Sequence, residues 1–206
     1  MTPSKYDRAQ LEDLVLQMME TELGGEKIYR AAIATAVNGD LKEEWQGYLK
    51  ETLHHQDVVR GLCATLGLNV DRQSPTRTVV GHIGKSLVQA IEMAQRNALP
   101  AAAQVVAAEC VVLAETKDHS NWELLGRVAE VATGDIGKAF RAAHEDVEQD
   151  EDHHLFHTKG WMRELAIQGL GMPAVLPPPE EVKQVETAIG ASRAEHARSS
   201  MLYFPF

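Results

Sequence analysis

The sequence predicts an all-α protein, an antiparallel four-helix bundle made of two helical hairpins joined by a long crossover. Three observations carry that expectation. Alanine, leucine, valine, glutamate and glutamine are prominent while aromatic residues make up only 5% of 206 residues, a composition of good helix formers. Apolar side chains recur at intervals of three and four along four stretches, the period of a one-sided helix. The punctuation Asn38-Gly39-Asp40 returns as Thr133-Gly134-Asp135, each time between two such stretches, where so short a connection forces antiparallel neighbours.

The first helix is expected over 8–37, with Leu11, Leu14, Val15, Met18, Gly25, Tyr29 and Ile33 on one stripe. Gly39 ends it and Asp40 is read as the N-cap of the second helix, Glu43 completing a capping box, and that helix runs to about Leu66. From Gly67 to Gly84 the residues Asn69, Asp71, Ser74, Pro75 and two glycines read as an aperiodic crossover. Helical pattern resumes at Lys85 and continues through AAAQVVAAECVVLA to Ala129; Pro100 either kinks this third helix or begins a new one. The fourth follows Asp135 through Phe140, Val147, Trp161, Met162 and Leu165. Residues 1–170 thus form the bundle and 171–206 an extension: a stiff linker, GMPAVLPPPEE, a weak helix over 180–198 and the apolar ending MLYFPF. That ending is expected either to dock on a neighbouring subunit of a homo-oligomer or to fray.

A formal charge of -10 argues against a nonspecific grip on nucleic acid or on an anionic membrane, both of which need clustered Lys and Arg. Acidic side chains are instead the hard-oxygen donors that iron, manganese, magnesium and calcium accept. With only Cys63 and Cys110, in separate helical contexts, neither a disulfide framework nor a Cys-x-x-Cys metal site is available. The polar start MTPSKYDRAQLED and the lack of eighteen uninterrupted apolar residues point to a cytoplasmic protein that neither is secreted nor spans a membrane.

Function is written where polar residues interrupt the apolar stripes. Glu22 lies on the first stripe, four after Met18 and seven before Tyr29, where an ionised carboxylate is costly unless paired or bound to a cation. On the second helix Glu51, with His55 or His54, continues the face of Tyr48, Val58 and Leu62; on the fourth, Glu151 and His154 fall between Val147 and Met162. The third helix offers Glu109 and Glu115. Glu22 precedes Asp40 by 18 residues, Glu115 precedes Asp135 by 20 and Glu109 precedes it by 26, and six extra residues would displace a ligand by about 9 Å along the axis. Glu115 is therefore preferred. Glu148, 13 residues after Asp135, stays open as an alternative to Glu151 because it matches better the 11-residue offset of Glu51 from Asp40.

In chain order Glu22, Glu51-x-x-His54, Glu115 and Glu151-x-x-His154 resemble the ferritin-like di-metal carboxylate superfamily, whose four helices contribute Glu, Glu-x-x-His, Glu and Glu-x-x-His. The resemblance covers about 8–168. It implies two iron or manganese ions, with Glu51 and Glu151 bridging, Glu22 and Glu115 terminal, and His54 and His154 each capping an ion. It further implies dioxygen or peroxide chemistry, or iron handling, with Tyr29 near the metals; His153 and His157 are read as groups behind the ligands or on the surface and not as ligands. Haem is not implied, since Thr52 stands where bacterioferritin-like members carry a methionine, and the cysteine-rich module of rubrerythrins is missing. His144 with Glu148 has the His-x-x-x-Glu spacing of hemerythrin-like bundles, but it occurs once. The competing class is a metal-free helical bundle, an interaction or stress-associated module that uses its C-terminal tail.

Overall fold

The computed structural model describes residues 6–203, and every regular element among them is helical. Five long helices, α1 (Arg8–Thr35), α2 (Gly39–Leu66), α3 (Pro75–Asn97), α4 (Pro100–Val131) and α5 (Gly134–Gly169), precede the short α6 (Pro179–Val182) and α7 (Ala188–Tyr203). Among the described residues no helix is long and apolar enough to cross a membrane.

Two local expectations need correction, and one left open at Pro100 is decided. Asn38, not Asp40, caps α2: its side chain accepts from the Leu41 amide at 3.0 Å, and Asp40 sits in the first turn, where its charge meets the positive end of the helix dipole. The crossover is not aperiodic. Ser74 accepts from the Arg77 amide at 3.1 Å and Pro75 occupies the first turn, so that Ser-Pro marks a helix start. The third expected helix is also two, because the break at Ala98 and Leu99, both extended, is imposed by the ring of Pro100 on the residue before it.

α2 runs back along α1, with Gln56 Nε2 donating to Glu26 Oε2 at 3.1 Å. Gln104 near the start of α4 accepts from the amides of Val37 and Asn38 at 2.7 and 2.6 Å, while Trp122 further along reaches Glu22; α4 is thus antiparallel to α1. α5 returns along α4 and touches α2 as well, Trp161 donating to Glu44. Since α2 ends beside the start of α1 and α4 begins beside its end, the chain must travel the length of the bundle between them. α3 does this. It binds Asp13 through Thr76 at 2.6 Å at one end and approaches Ala34 through Gln95 at the other, lying against α1 and α4.

Glycines that read as breakers are contact points here. A Cβ on Gly84 would lie 3.5 Å from the Gly24 Cα, and one on Gly81 would lie 2.7 Å from Glu20 Oε1, so the close approach of α3 to α1 justifies the roughly 1 kcal/mol that glycine costs in a helix relative to alanine.

The interior consists of two apolar slabs. One gathers Val15, Met18, Val59, Leu62, Trp122, Leu125, Phe140 and Val147; the other gathers Ile28, Tyr29, Trp45, Tyr48, Val111, Trp161 and Leu165. The tail folds back on its own chain: Val185 and Ala194 bury against Leu155 and Phe156, and Arg198 donates to the fully buried Glu164 at 2.8 Å. Of the ending MLYFPF, residues 204–206 lie outside the described residues.

Candidate metal centre

Between the two slabs the interior turns polar. Glu22 of α1, His55 of α2, Glu115 and Asp118 of α4, and Glu151 and His154 of α5 are all buried, none more than 5% exposed. Ligand-type atoms of Glu22, His55 and Glu151 lie within 4.8 Å of one another, and so do those of Glu115, Glu151 and His154. Glu151 belongs to both groups. His55 Nδ1 stands 3.1 Å from Glu151 Oε1 and 3.8 Å from Glu22 Oε1; His154 Nδ1 stands 3.5 Å from Glu115 and 3.9 Å from Glu151.

The hydrogen bonding of this cluster is incomplete. Glu22 Oε2, Glu115 Oε2, Asp118 Oδ1, Glu151 Oε2 and His55 Nδ1 are buried without a hydrogen-bond partner; the short His55–Glu151 approach lacks hydrogen-bond alignment. Such orphans are expensive in a protein interior. Burial, followed by the charge of Asp118, pushes the Glu22 carboxyl well above its ordinary range. Asp118 is raised likewise by burial, then by Glu151 and Glu115, and Glu151 by burial first. Burial opposes a charge on His154, but its carboxylate partners Glu115 and Glu51 carry it up to about 10, and His55 is raised by Asp150 and Glu151 against the same penalty. Four carboxylates facing two imidazoles in a dry space demand protons or cations.

Both imidazoles offer Nδ1 to the centre and give Nε2 to a carboxylate behind them. His55 Nε2 contacts Asp150 at 3.2 Å, and His154 Nε2 contacts Glu51 at 2.8 Å. The pairs are crossed: the histidine on α2 is held by an acid on α5, and the histidine on α5 by an acid on α2. A carboxylate on the far nitrogen fixes ring orientation and makes the near one a better donor to a cation.

The structure therefore brings Glu22, Glu115, Glu151 and His154 together and displaces two of the expected residues. His54 faces outward, its side chain 53% exposed and 2.9 Å from Asp146, because one residue's rotation of about 100° carries it past the seam that His55 enters. Glu51 sits at the rim behind His154, its side chain 40% exposed, and not in the centre. Glu109 and Glu148 are exposed. Tyr29 is buried with its ring 6.0 Å from that of His154, and burial, helped by Glu115, pushes its phenol well above the ordinary range. His157 contacts Glu44 at 3.5 Å and His153 approaches Glu186 at 3.6 Å, both outside the cluster.

Three residues were not singled out from the sequence. His55 shares the face of Glu51 with His54, but the Glu-x-x-His spacing favours His54. Asp118 lay in the polar run TKDHS, which reads as exposed, yet it is three after Glu115 and four before Trp122 and so shares their face. Asp150 behind His55 has no sequence signal apart from its acidic surroundings. The position three before His55 is Thr52, whose hydroxyl donates to the Tyr48 carbonyl at 2.9 Å; at that level α2 contributes an imidazole and no carboxylate.

Fold and cluster together define a helical bundle with a buried carboxylate–imidazole centre. Comparison with protein-family models, with curated proteins and with solved structures gave no match.

Proposed function

We propose that this chain is a ferritin-like di-metal protein, its centre holding two iron or manganese ions for oxygen- or peroxide-dependent oxidation or for iron handling. The observation that carries this reading is the pair of overlapping ligand groups that share Glu151, built from buried oxygens and a nitrogen that nothing in the protein satisfies. The donor set suits those metals, since carboxylates and imidazoles together accept iron and manganese. Glu22, His55 and Glu151 would hold one ion and Glu115, Glu151 and His154 the other, with Asp118 supplying the carboxylate that α2 lacks. When bound, such a pair supplies Lewis acidity and, for iron or manganese, electrons for oxygen or peroxide reduction. The protein's own contribution is to orient the imidazoles through Glu51 and Asp150 and to keep water out with the two apolar slabs.

Metal analysis of protein purified without chelator tests this directly, with about two ions per chain expected by the ligand count. Anomalous scattering from a crystal would give element and position together. Fewer than one ion per chain after incubation with Fe²⁺ or Mn²⁺, and no gain in Tm with either, would sink the reading.

A further inference from the structure

A cavity of about 240 Å³ opens between α4, α5 and the start of α7, and the buried Glu151 is among the residues that line it. It adjoins a wider surface groove of about 660 Å³ along α4 and α5, the two sharing Glu123, His144 and Glu148. Carboxylates are graded along it. At the mouth Glu123, Glu148 and Glu186 have side chains 68%, 63% and 49% exposed; at the neck His119 and Asp152 are both 19% exposed and 2.9 Å apart; at the floor Glu151 is 2% exposed and its Oε2 has no partner.

We infer that this α4–α5 cavity is the route by which hydrated divalent cations reach the buried centre, with His119 and Asp152 at its neck as a transit site. The inference rests on the di-metal reading above and names what passes through the site. Charge selects the occupant. At roughly 30 Å³ of liquid volume per water, 240 Å³ holds about eight waters, enough for an aquo ion. Acidic walls raise the local concentration of cations and repel anions. Asp152 and His119 offer one oxygen and one nitrogen between them, too few to retain an ion against the richer donor set below, so the ion moves inward by exchanging water for Glu151.

The test is stopped-flow loading of the intact chain with Co²⁺ alone, followed by its d–d absorption, with final Co²⁺ content and Tm as separate readouts. Asp152→Asn should slow loading about tenfold, within the range by which electrostatic focusing changes on-rates, and His119→Leu should slow it by removing the nitrogen donor of the transit pair, while final content and the Tm gain match wild type in both. Glu123→Gln at the exposed mouth cannot compromise folding and should slow loading about threefold by the same focusing. Asp146→Asn, on the α2–α5 face beside His54, should load as fast as wild type. Unchanged rates in the first three variants, slowing in Asp146→Asn instead, or a lower final Co²⁺ content in Asp152→Asn would overturn the transit role with the centre intact. A wild type that takes up no Co²⁺ would overturn the transit role and the di-metal reading together.

Discussion

The two hairpins contribute unequally to the centre they enclose. The α1–α2 hairpin places one carboxylate, Glu22, and one imidazole, His55, in the interior, whereas the α4–α5 hairpin places Glu115, Asp118, Glu151 and His154 there. Three residues before its inward histidine, α2 carries Thr52 and α5 carries Glu151. Thr52 packs close to Gly25 of α1, where an added Cβ would lie 3.4 Å from the Thr52 methyl. The centre is more acidic on the α4–α5 side, and in the proposed di-metal reading Glu151 alone serves both ions.

The sharpest way to break this comparison is to remove that shared residue. Glu151→Gln should abolish binding of both ions, and with it a stabilisation of about 2.7 kcal/mol at free metal near a hundred times Kd; calorimetric titration with Mn²⁺ and Tm with and without metal would show it. Retention of one tightly bound ion would mean that the two groups are independent.

A pH series sharpens the comparison next. Glu22, Asp118 and Glu151 have folded-state values above the ordinary 4.5 or 3.8, and His154 is raised from 6.5 to about 10. In the metal-free protein the native state therefore binds more protons than the unfolded one from about pH 4 up to those raised values, and stability falls as pH rises through that window. Metal requires deprotonated ligands, so metal-dependent stabilisation rises with pH instead. Urea unfolding at pH 5.5 and 8, with EDTA and with Mn²⁺, should show slopes of opposite sign; parallel slopes would contradict the cluster's role.

Smaller effects separate residues in the centre from those behind it. Glu51→Gln should weaken binding about 10- to 100-fold without changing stoichiometry, the usual consequence of losing an acid behind a ligating histidine, and a loss of one whole ion would return Glu51 to the centre. The least effect belongs to His54→Ala. An exposed pair of this kind contributes about 0–1 kcal/mol, so stability should hardly move and ion content not at all, whereas His55→Ala should lose the ion shared by Glu22 and Glu151.

Much of the fold was legible because amphipathic period and short Gly-Asp turns report local physics. α1, α2 and α5 follow the expected spans closely, and an all-helical chain was readable from composition. The first part of α3, up to Gly84, was hidden because Gly81 and Gly84 look like breakers unless a neighbouring helix is known to need the space, and because Ser74-Pro75 serves equally to open a helix or to make a turn. In the site, Glu22, Glu151 and His154 stood out as charges on apolar stripes, and Glu115 was separated from Glu109 by its distance from the Gly-Asp turn. The Glu-x-x-His spacing points to His54 where His55 turns inward, since positions three and four residues after Glu51 share its face and only the partner helix decides which enters the seam. Asp118 was masked by polar neighbours whose exposure says nothing of its own.

The tight Gly24–Gly84 contact has a consequence for assembly. By laying α3 flush on α1 it shutters one flank of the bundle, whereas the proposed cation route opens on the α4–α5 flank. A second subunit docked over α3 would leave the doorway clear; one docked over the α4–α5 groove would lock it.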